Sequence, residues 1–444
     1  MKDIREAIGI RDLSFDLVTV KDLVDRQVLD RPIDGNHGEI HPKSEDFVAE
    51  GVPFVMASDL RNGRVDYANC AKITERQAEG LRKGFARNGD VLLTHKATIG
   101  ATAVVDYDKH PYIMLTPQVT YYRVRDPKVL CNRFLKHYFD SSLFQQTLHM
   151  LASSGSTRAY LGITEQQRLP VILPPREKQQ KIAGILSAYD DLIADNQRRI
   201  ARLEGMAEEI YREWFVRMRF PGHVGSRYDA GLPEGWTQRR LSEVAEINAR
   251  SVKRGSEPEL IRYIDISAVG TNQLEMPEEI PFATAPGRAR RVVRSGDILW
   301  SSVRPGNKAY CVVVRAMENL VASTGFAVIS PRPGIPYTYL HSATTTQNFV
   351  DQMVAVAKGS AYPAAAFDDF GRALIIWPAA SLLARFHAVC EPIYEQLDGL
   401  RSADRQLASQ RDALLPRLIS GKLKVDHLDI RLPPSMRAEA EAVA

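Results

Sequence analysis

The chain has 444 residues, of which 44% are hydrophobic and 25% are charged, and its formal net charge is +4 at pH 7. This composition is typical of a soluble globular protein with room for two or three domains, and the mild basic excess does not by itself single out a partner. No run of about 18 apolar residues is present and the first residues lack a signal-peptide core, so we expect a cytoplasmic protein without a membrane span.

Residues 1–173 are predicted to form a first lobe. Short β-rich runs such as residues 119–124 are separated by Gly, Pro and Asn turns, and residues 132–139 have the pattern of a helix. Strands and helices do not alternate regularly along this lobe. The order of elements therefore favours an α+β fold over a doubly wound parallel sheet.

Residues 174–222 are predicted to be a helical spacer. After Pro174 and Pro175 the apolar residues step by three or four, as expected for a coiled-coil seam. A helix over residues 177–215 would be about 58 Å long at ~1.5 Å per residue. The same stripe is also typical of a helix that packs only on its own lobe, and periodicity alone leaves that alternative open.

The second half of the chain has the same plan. We predict a second lobe over residues 232–378 and a second helical spacer over residues 379–425, which Pro392 and Pro416 are expected to kink or interrupt. Residues 426–444 end in a small, mostly uncharged run and are predicted to be a flexible tail.

The two halves are diverged copies of one long unit. Residues 88–94 (Asn-Gly-Asp-Val-Leu-Leu-Thr) return as residues 295–301 (Ser-Gly-Asp-Ile-Leu-Trp-Ser), and Pro174 returns as Pro378, 204 residues later. Two such lobes and two such helices predict two similar α+β domains separated by an antiparallel coiled coil, with pseudo-two-fold symmetry. Duplex DNA is the commonest target with a matching two-fold.

Two polar loops recur at matching places in both copies and are the candidate DNA-binding surfaces. Hydroxyl groups and cations can bind phosphates, Arg and Lys can donate to guanine, and Asn can pair with adenine. A solvated surface turn is the alternative for any single residue. The candidates are Thr94, His95, Lys96, Thr98, Ser156, Thr157, Arg158 and Tyr160 in the first lobe, and Ser302, Arg304, Asn307, Lys308, Lys358, Ser360 and Tyr362 in the second.

Other residues near these loops have more than one interpretation. Asp90 and Asp297, each after a glycine, are expected to shape a turn and not to touch a ligand. Trp214 and Phe215 lie near the end of the first spacer, where they are either core residues or a hydrophobic contact site for a partner.

Catalytic and metal-binding motifs are missing from the sequence. There is no GxxxxGK[ST], no HExxH, and residues 173–176 (Leu-Pro-Pro-Arg) lack the signature of an amino-methyltransferase. The four cysteines, Cys70, Cys131, Cys311 and Cys390, form no CxxC pair, so we expect reduced core thiols and no metal site.

Four segments resemble the DNA-specificity subunits of type I restriction–modification systems. Residues 173–182 (Leu-Pro-Pro-Arg-Glu-Lys-Gln-Gln-Lys-Ile) and 210–222 are similar to the family's central helical region. Residues 414–423 (Leu-Leu-Pro-Arg-Leu-Ile-Ser-Gly-Lys-Leu) are similar to its closing motif, and residues 232–236 (Leu-Pro-Glu-Gly-Trp) to the start of its second recognition domain. Together these segments are specific, and the resemblance covers nearly the whole chain.

The resemblance implies two target recognition domains, each of which reads half of a bipartite site in double-stranded DNA, and helices that set the spacing between the halves. It further implies that two DNA-methyltransferase subunits dock on the helices and that restriction/translocase subunits join them. S-adenosylmethionine, ATP and magnesium would belong to those partners, and no cofactor to this chain. The chain would be non-catalytic.

The chain also departs from the family pattern. The first lobe has residues 16–23 where a Gly-Trp opening is usual, and Ala379 and Ala380 follow the second proline in place of a Glu-Gln run. A specificity-like subunit of a related phage-defence system, a DNA-acting enzyme in its own right, and a scaffold without a DNA role are the alternatives.

Overall fold

The computed structural model describes residues 15–38, 40–152, 160–229, 231–253, 255–359 and 362–441. The chain divides into two compact units: the first comprises Met1–Asp195 and Asp404–Ala444, and the second comprises Asn196–Ala403. Each unit therefore contains one lobe and one part of each spacer helix.

The first lobe contains two four-stranded sheets. One has the order β2-β11-β8-β9 and is antiparallel throughout, and the other has the order β6-β3-β10-β7 with β3 and β10 parallel. A hairpin, β4–β5, stands apart. The strands are β1 (Asp16–Thr19), β2 (Ile33–Asp34), β3 (Val52–Val55), β4 (Leu60–Arg61), β5 (Arg64–Val65), β6 (Ala71–Ile73), β7 (Phe85–Ala86), β8 (Val91–Lys96), β9 (Thr98–Val104), β10 (Ile113–Leu115), β11 (Val119–Tyr122) and β12 (Pro170–Leu173).

The second lobe repeats this topology and adds one short strand pair, β13–β14, at its start. Its sheets have the orders β16-β25-β22-β23 and β20-β17-β24-β21, with β17 and β24 parallel, and β18–β19 is the separate hairpin. The strands are β13 (Tyr228–Asp229), β14 (Leu232–Pro233), β15 (Thr237–Arg240), β16 (Ala245–Ile247), β17 (Leu260–Ile264), β18 (Val269–Gly270), β19 (Gln273–Leu274), β20 (Glu279–Pro281), β21 (Ala289–Val292), β22 (Ile298–Ser301), β23 (Tyr310–Val312), β24 (Leu320–Ser323), β25 (Phe326–Pro331) and β26 (Leu374–Trp377). The predicted duplication and the α+β class are confirmed.

Each lobe is closed by a strand pair that joins its two ends. In the first lobe β1 pairs antiparallel with β12, just before Pro174, and in the second lobe β15 pairs antiparallel with β26, just before Pro378. The chain thus enters and leaves each lobe at one place, where the following helix begins.

Short helices cover the sheets, and the helix predicted over residues 132–139 is confirmed as Asn132–Asp140. Strand β8 is buried along Val91–His95, which explains its unbroken apolar start: a strand covered on both faces needs no polar alternation. The other short helices are Val20–Asp25, Glu75–Glu79, Ser142–Ala152, Ile163–Gln166, Leu241–Val244, Tyr337–Thr344, Gln347–Val356, Phe367–Arg372 and Pro434–Glu441.

Two long helices carry the spacer sequences. The central helix is Arg176–Tyr211, followed by a π-helical turn at Arg212–Val216, and the closing helix is Ala380–Ile419. In the first unit the two helices run antiparallel, because Asp190 contacts Arg411 while the earlier Lys181 contacts the later Asp426. The helices therefore pack on each other as well as on the lobes.

The same antiparallel pairing occurs within the second unit. Glu204 forms an ion pair with Arg401, and farther along the central helix the ring of Tyr211 lies against that of Phe386 near the start of the closing helix. The predicted antiparallel helix pair is thus present in each unit.

The predicted interruption of the closing helix at its prolines is wrong. The helix continues through Pro392 and Pro416. Buried Cys390 and Ile393 flank the first proline, and buried Leu415 and Leu418 flank the second. Packing of these neighbours offsets the hydrogen bond that each proline ring removes.

The predicted flexible tail is also wrong over residues 426–437. We name residues 424–437 the C-terminal strap. Val425 and Met436 are buried in the core of the first unit, and Asp426 forms a 2.8 Å ion pair with Lys178 of the central helix. Burial of Val425 and Met436, near the two ends of the strap, stabilises its position, and the composition of the tail did not indicate that they would be buried.

Candidate nucleic-acid interface

The two predicted loops of the first lobe lie side by side. Strand β8 ends at Lys96, and Ala97, with φ of +66°, makes the tight turn into β9. Lys96 forms an isolated antiparallel bridge with Tyr160, and its ammonium nitrogen lies 5.8 Å from the centre of the Tyr160 ring. Since Tyr160 is 46% exposed, the pair presents a cation and an aromatic face at the surface.

The second lobe forms the corresponding pair from Arg304 and Tyr362. The Arg304 amide donates to the Pro363 carbonyl over 2.7 Å, and the guanidinium carbon lies 4.6 Å from the centre of the Tyr362 ring. Tyr362 is 69% exposed. Both lobes therefore place a cation from the first loop over a tyrosine from the second.

The loops of the second lobe are held in uncommon backbone conformations. Arg304 and Lys308 have φ of +49° and +53°, on either side of a short 3₁₀ turn at Pro305–Asn307. Lys358 and Ala364 exchange two backbone hydrogen bonds of 3.0 and 2.9 Å, which close the base of the second loop. Such strain is common where a loop serves a binding site.

The turns before β8 and β22 confirm the predicted structural role of the Gly-Asp pairs. Asp90 accepts from the Arg87 amide over 2.7 Å and pairs with Arg123. Asp297 likewise accepts from the Arg294 amide over 2.7 Å and pairs with Arg250. Both carboxylates are buried and used within the fold, which leaves them unavailable to a ligand.

Three candidate DNA-binding residues are structural. Thr94 is buried and its hydroxyl accepts from the Ala101 amide over 2.9 Å. Ser302 is buried and its hydroxyl donates to the Gly325 carbonyl over 2.9 Å. These two side chains face inward and are hydrogen-bonded within the fold. A DNA contact by their side chains is contradicted.

His95 is the third inward-facing candidate. Its ring lies within hydrogen-bond distance of the Pro117 carbonyl and of the Gln166 side-chain nitrogen. Burial lowers the pKa of His95 to about 4, so the ring is neutral near pH 7. A buried neutral ring cannot supply the positive charge expected of a phosphate contact, and its predicted DNA role is wrong. No local sequence pattern indicated Gln166 as its partner.

The remaining candidates are placed as follows. Thr98, Asn307 and Lys358 are exposed and Lys308 is partly exposed, so each of them can be reached by a ligand. Ser156, Thr157, Arg158 and Ser360 lie outside the described residues. The DNA contacts of this group stay predictions.

Trp214 and Phe215 differ in exposure. Phe215 has no exposed surface and packs among Tyr211, Trp236 and Phe386, so its burial supports the core interpretation and leaves no surface for a partner. Trp214 is partly buried at the edge of the same cluster. A partner contact at Trp214 stays a prediction.

The described residues contain no group of three or more His, Cys, Asp and Glu side chains that could hold a metal ion. Among them, no helix has the length and apolarity needed to cross a membrane. The four cysteines are buried free thiols, and burial raises the pKa of Cys70 to about 11.

Comparisons with known proteins show what this chain is similar to. A family model described as the type I restriction modification DNA specificity domain matches residues 32–205. The specificity subunit of the type I restriction enzyme MjaIX from Methanocaldococcus jannaschii is 23% identical over 410 residues, which are 87% of this chain and 90% of that protein. The matched segment and this relative over most of the chain support a DNA-specificity subunit of a type I restriction–modification system.

Further relatives agree with this assignment. The HindI specificity subunit of Haemophilus influenzae is 26% identical over 168 residues, 37% of this chain and 36% of that protein. The crystal structure of the type I S subunit from M. genitalium has the same fold, with a TM-score of 0.53 at 14% identity over 92% of this chain and 96% of that one. As a specificity subunit, the chain recognises DNA sequence and is not the catalytic component.

Proposed function

We propose that each lobe of this specificity subunit reads one half of a bipartite site in double-stranded DNA. The observation that carries the proposal is the recurrence of one arrangement, a cation over an exposed tyrosine, at the same place in both lobes. Lys96 and Arg304 donate to phosphates or guanine edges, and Tyr160 and Tyr362 hold them in place. The long helices set the spacing between the two half-sites.

The chemistry around the bound DNA comes from other subunits. Two DNA-methyltransferase subunits dock on this chain, and restriction/translocase subunits join that core. S-adenosylmethionine, ATP and magnesium bind to those partners. This division fits the absence of recognised catalytic and nucleotide-binding motifs from the sequence.

The two cations differ in what they can recognise. Arg304 presents a planar guanidinium that can donate two parallel hydrogen bonds to guanine O6 and N7, whereas Lys96 presents a compact charge. We therefore expect Arg304 to contribute more base discrimination than Lys96, and Lys96 to contribute more through phosphate.

The test is methylome sequencing of a host that carries this chain with its methyltransferase, in parallel with DNA binding at several salt concentrations. Arg304→Ala should relax one position of one half-site by about 1–3 kcal/mol, and Lys96→Ala should weaken contact with the other half-site and reduce the salt dependence. Arg332→Ala, which removes an exposed arginine paired with Glu246, is the matched control and should change neither half-site.

Three outcomes of this test are informative. A uniform loss of affinity for all sequences would assign Arg304 to phosphate contact. An unchanged motif for both Arg304→Ala and Lys96→Ala would contradict the loop assignment. A host whose methylome does not change when this chain is deleted would contradict the bipartite reading itself.

A further inference from the structure

Strand β21 of the second lobe carries two adjacent arginines, Arg290 and Arg291. On its outer side the strand forms a bridge from Arg291 to Ser251, and the residues that pair with it on β24 are the uncharged Ser323, Ala322 and Val321. Within the part of the chain that the structure describes, neither arginine forms an ion pair with a carboxylate. Opposite charges on adjacent strands stabilise a sheet, and these two charges contribute nothing of that kind to β21.

Each of the two guanidinium groups lies over an aromatic ring. The guanidinium carbon of Arg290 lies 5.2 Å from the centre of the Phe282 ring, and that of Arg291 lies 5.2 Å from the centre of the Phe367 ring. The hydrogen bonds that they donate within the fold are long, at 3.4 Å each. A guanidinium stacked on a ring can still donate from its edge, and its planar fork matches the oxygens of a phosphate.

The two arginines lie beside the polar loops of the second lobe. Phe367, over which Arg291 lies, begins the helix that follows the second loop. The turn between β24 and β25 connects the start of β21 to the first loop: the Thr324 amide donates to the Arg288 carbonyl over 2.8 Å, and the next carbonyl accepts from the Ser302 amide over 3.0 Å. A duplex held by these loops would therefore bring its flanking phosphates close to β21.

The first lobe shows that the repeated frame does not need these arginines. Lys83 and Gly84 stand in their places, 207 residues earlier, at the offset of the repeated Gly-Asp turns. A Cβ added to Gly84, whose φ is +88°, would lie 2.9 Å from the Gly35 Cα, so the backbone closes this place to a side chain. Lys83 pairs with Asp34, which balances its charge. Since β7 forms without two uncompensated cations, the arginines of β21 are not required to form the strand.

The two arginine charges lack the compensation that a neighbouring arginine has. Arg288, at the start of the strand, donates to Asp265 Oδ2 over 2.6 Å. Arg290 and Arg291 are partly buried, and burial lowers the pKa of Arg291 because it removes water from the cation. A partly desolvated cation gains most from an anion that restores its missing partner.

We propose that Arg290 and Arg291 bind backbone phosphates of the duplex beside the half-site that the second lobe reads. The proposal rests on the proposed function, in which the loops of that lobe read the half-site, and it adds a contact that the base sequence does not select. Contacts to phosphates position a protein on the duplex and supply affinity without sequence information. The second lobe thereby carries a sequence-independent part of the affinity that strand β7 does not supply in the first lobe.

The test is fluorescence anisotropy of the full chain with its methyltransferase subunit over a series of salt concentrations. One duplex carries the methylated motif of the host and a second duplex has that motif scrambled. Arg290→Ala/Arg291→Ala should weaken binding to both duplexes by the same factor, about 10–100-fold at about 0.1 M salt, and should reduce the slope of log K against log salt by about 2, because each phosphate contact releases about 0.9 counterion. The methylated motif in the host should stay the same.

Two further variants separate the charge of the arginines from their packing. Arg290→Lys/Arg291→Lys keeps both charges and should retain most of the salt slope. Arg332→Ala/Arg372→Ala removes two exposed arginines of the same lobe that pair with carboxylates, and this matched control should leave the slope unchanged.

A modified duplex tests the same contact with the native chain. Methylphosphonate linkages, which remove the phosphate charge, are placed beside the half-site that Arg304→Ala alters. They should weaken binding by the native chain and have little effect on Arg290→Ala/Arg291→Ala, because that variant has already lost the contact.

Several results would overturn the proposal: an unchanged slope in the alanine variant, an equal loss of slope in the lysine variant or the matched control, an altered methylated motif, or equal effects of methylphosphonate on the native chain and the alanine variant. A native chain that binds the motif and the scrambled duplex equally would instead contradict the proposed function. The salt slopes on the scrambled duplex would still decide whether the two arginines bind phosphate.

Discussion

The two lobes share one topology but use opposite chemistry where their helices meet the spacer helices. In the first unit the ammonium of Lys136 lies 2.7 Å from Asp190 Oδ2, and Arg411 donates to Asp190 Oδ1 over 2.7 Å. In the second unit, 205 and 204 residues later, stand His341 and Tyr394. The His341 Nδ1 lies 2.8 Å from the Tyr394 hydroxyl, and no charge is involved.

Both arrangements give their buried polar atoms hydrogen-bond partners, but they differ in the charge of the buried groups. Burial raises the pKa of Asp190, but the charges of Lys136 and Arg411 outweigh this effect and hold that pKa below its usual range. Burial lowers the pKa of His341 to about 3, which keeps the ring neutral. The comparison teaches that the duplicated frame accepts either charge or neutrality, provided that every buried group is paired.

We name the contact of His341 with Tyr394 the neutral seam, and the contact of Lys136 and Arg411 with Asp190 the charged seam. The neutral seam leaves more empty space beside it than the charged seam does. It borders a crevice of about 680 Å³, lined among others by Asn272, His341 and Arg401, whereas the charged seam borders one of about 360 Å³. Hairpins β4–β5 and β18–β19 close the two seams with asparagines at matching places, Asn62 and Asn272, whose φ values are +52° and +55°. The turn is retained while the side-chain chemistry around it has changed.

The largest expected effect comes from breaking the charged seam. Asp190→Ala should lower the free energy of unfolding by about 3–5 kcal/mol, because it leaves the buried Lys136 beside Arg411 without this counter-ion. Tyr394→Phe, at the repeat position, should cost about 1–3 kcal/mol, since it removes a neutral hydrogen bond. Urea denaturation measures both, and equal losses would mean that the charged pair has no special cost of disruption.

The pH dependence should separate the two seams. The folded pKa of His341 is depressed, so the unfolded chain binds more protons below its pKa of about 6.5 and stability falls from there toward pH 3. The advantage of the native chain over His341→Gln should therefore shrink by about 1.4 kcal/mol per pH unit in this window.

The advantage of the native chain over Asp190→Ala behaves differently. The folded pKa of Asp190 is also depressed, but its unfolded pKa is about 3.9, so its stabilisation is present above that pH and is lost only below it. The difference in unfolding free energy between the native chain and Asp190→Ala should therefore stay constant between pH 7 and 4.5. Parallel slopes for the two variants would show that the seams do not titrate separately.

A smaller effect on the free energy of unfolding is expected from a substitution in the closing helix. The central helix has Ala188 where the closing helix has Pro392, an exposed proline inside a continuous helix. Pro392→Ala restores a backbone donor and should raise the free energy of unfolding by about 1–3 kcal/mol. The reverse change, Ala188→Pro, should lower it. A loss on Pro392→Ala would mean that the helix bends at Pro392 for a packing reason.

Much of the fold was predictable because local sequence patterns determine its helices and turns, and the second half of the chain repeats those patterns. The helix of residues 132–139, the long spacer helices and the Gly-Asp turns follow from periodicity and turn chemistry, and the second copy supports each assignment. The pairing of Lys96 with Tyr160 and of Arg304 with Tyr362 was not predicted, although a cation and a tyrosine recur at matching offsets in the sequence.

Other features could not be predicted for a common reason. The inward direction of Thr94, His95 and Ser302 depends on which face of a strand end is covered, and on distant partners such as Gln166. The continuity of the closing helix through Pro392 likewise depends on packing that no local propensity expresses.

The sequence by itself determined two copies of one α+β unit, two long helices, a chain without recognised catalytic motifs and membership of a DNA-recognition family, because periodicity, motifs and repetition are properties of the chain. Tertiary structure alone decided which loop residues reach the surface, where the strap lies, and that Lys136 is charged where His341 is neutral. Burial and pairing set these outcomes, and both depend on contacts between residues far apart in the sequence.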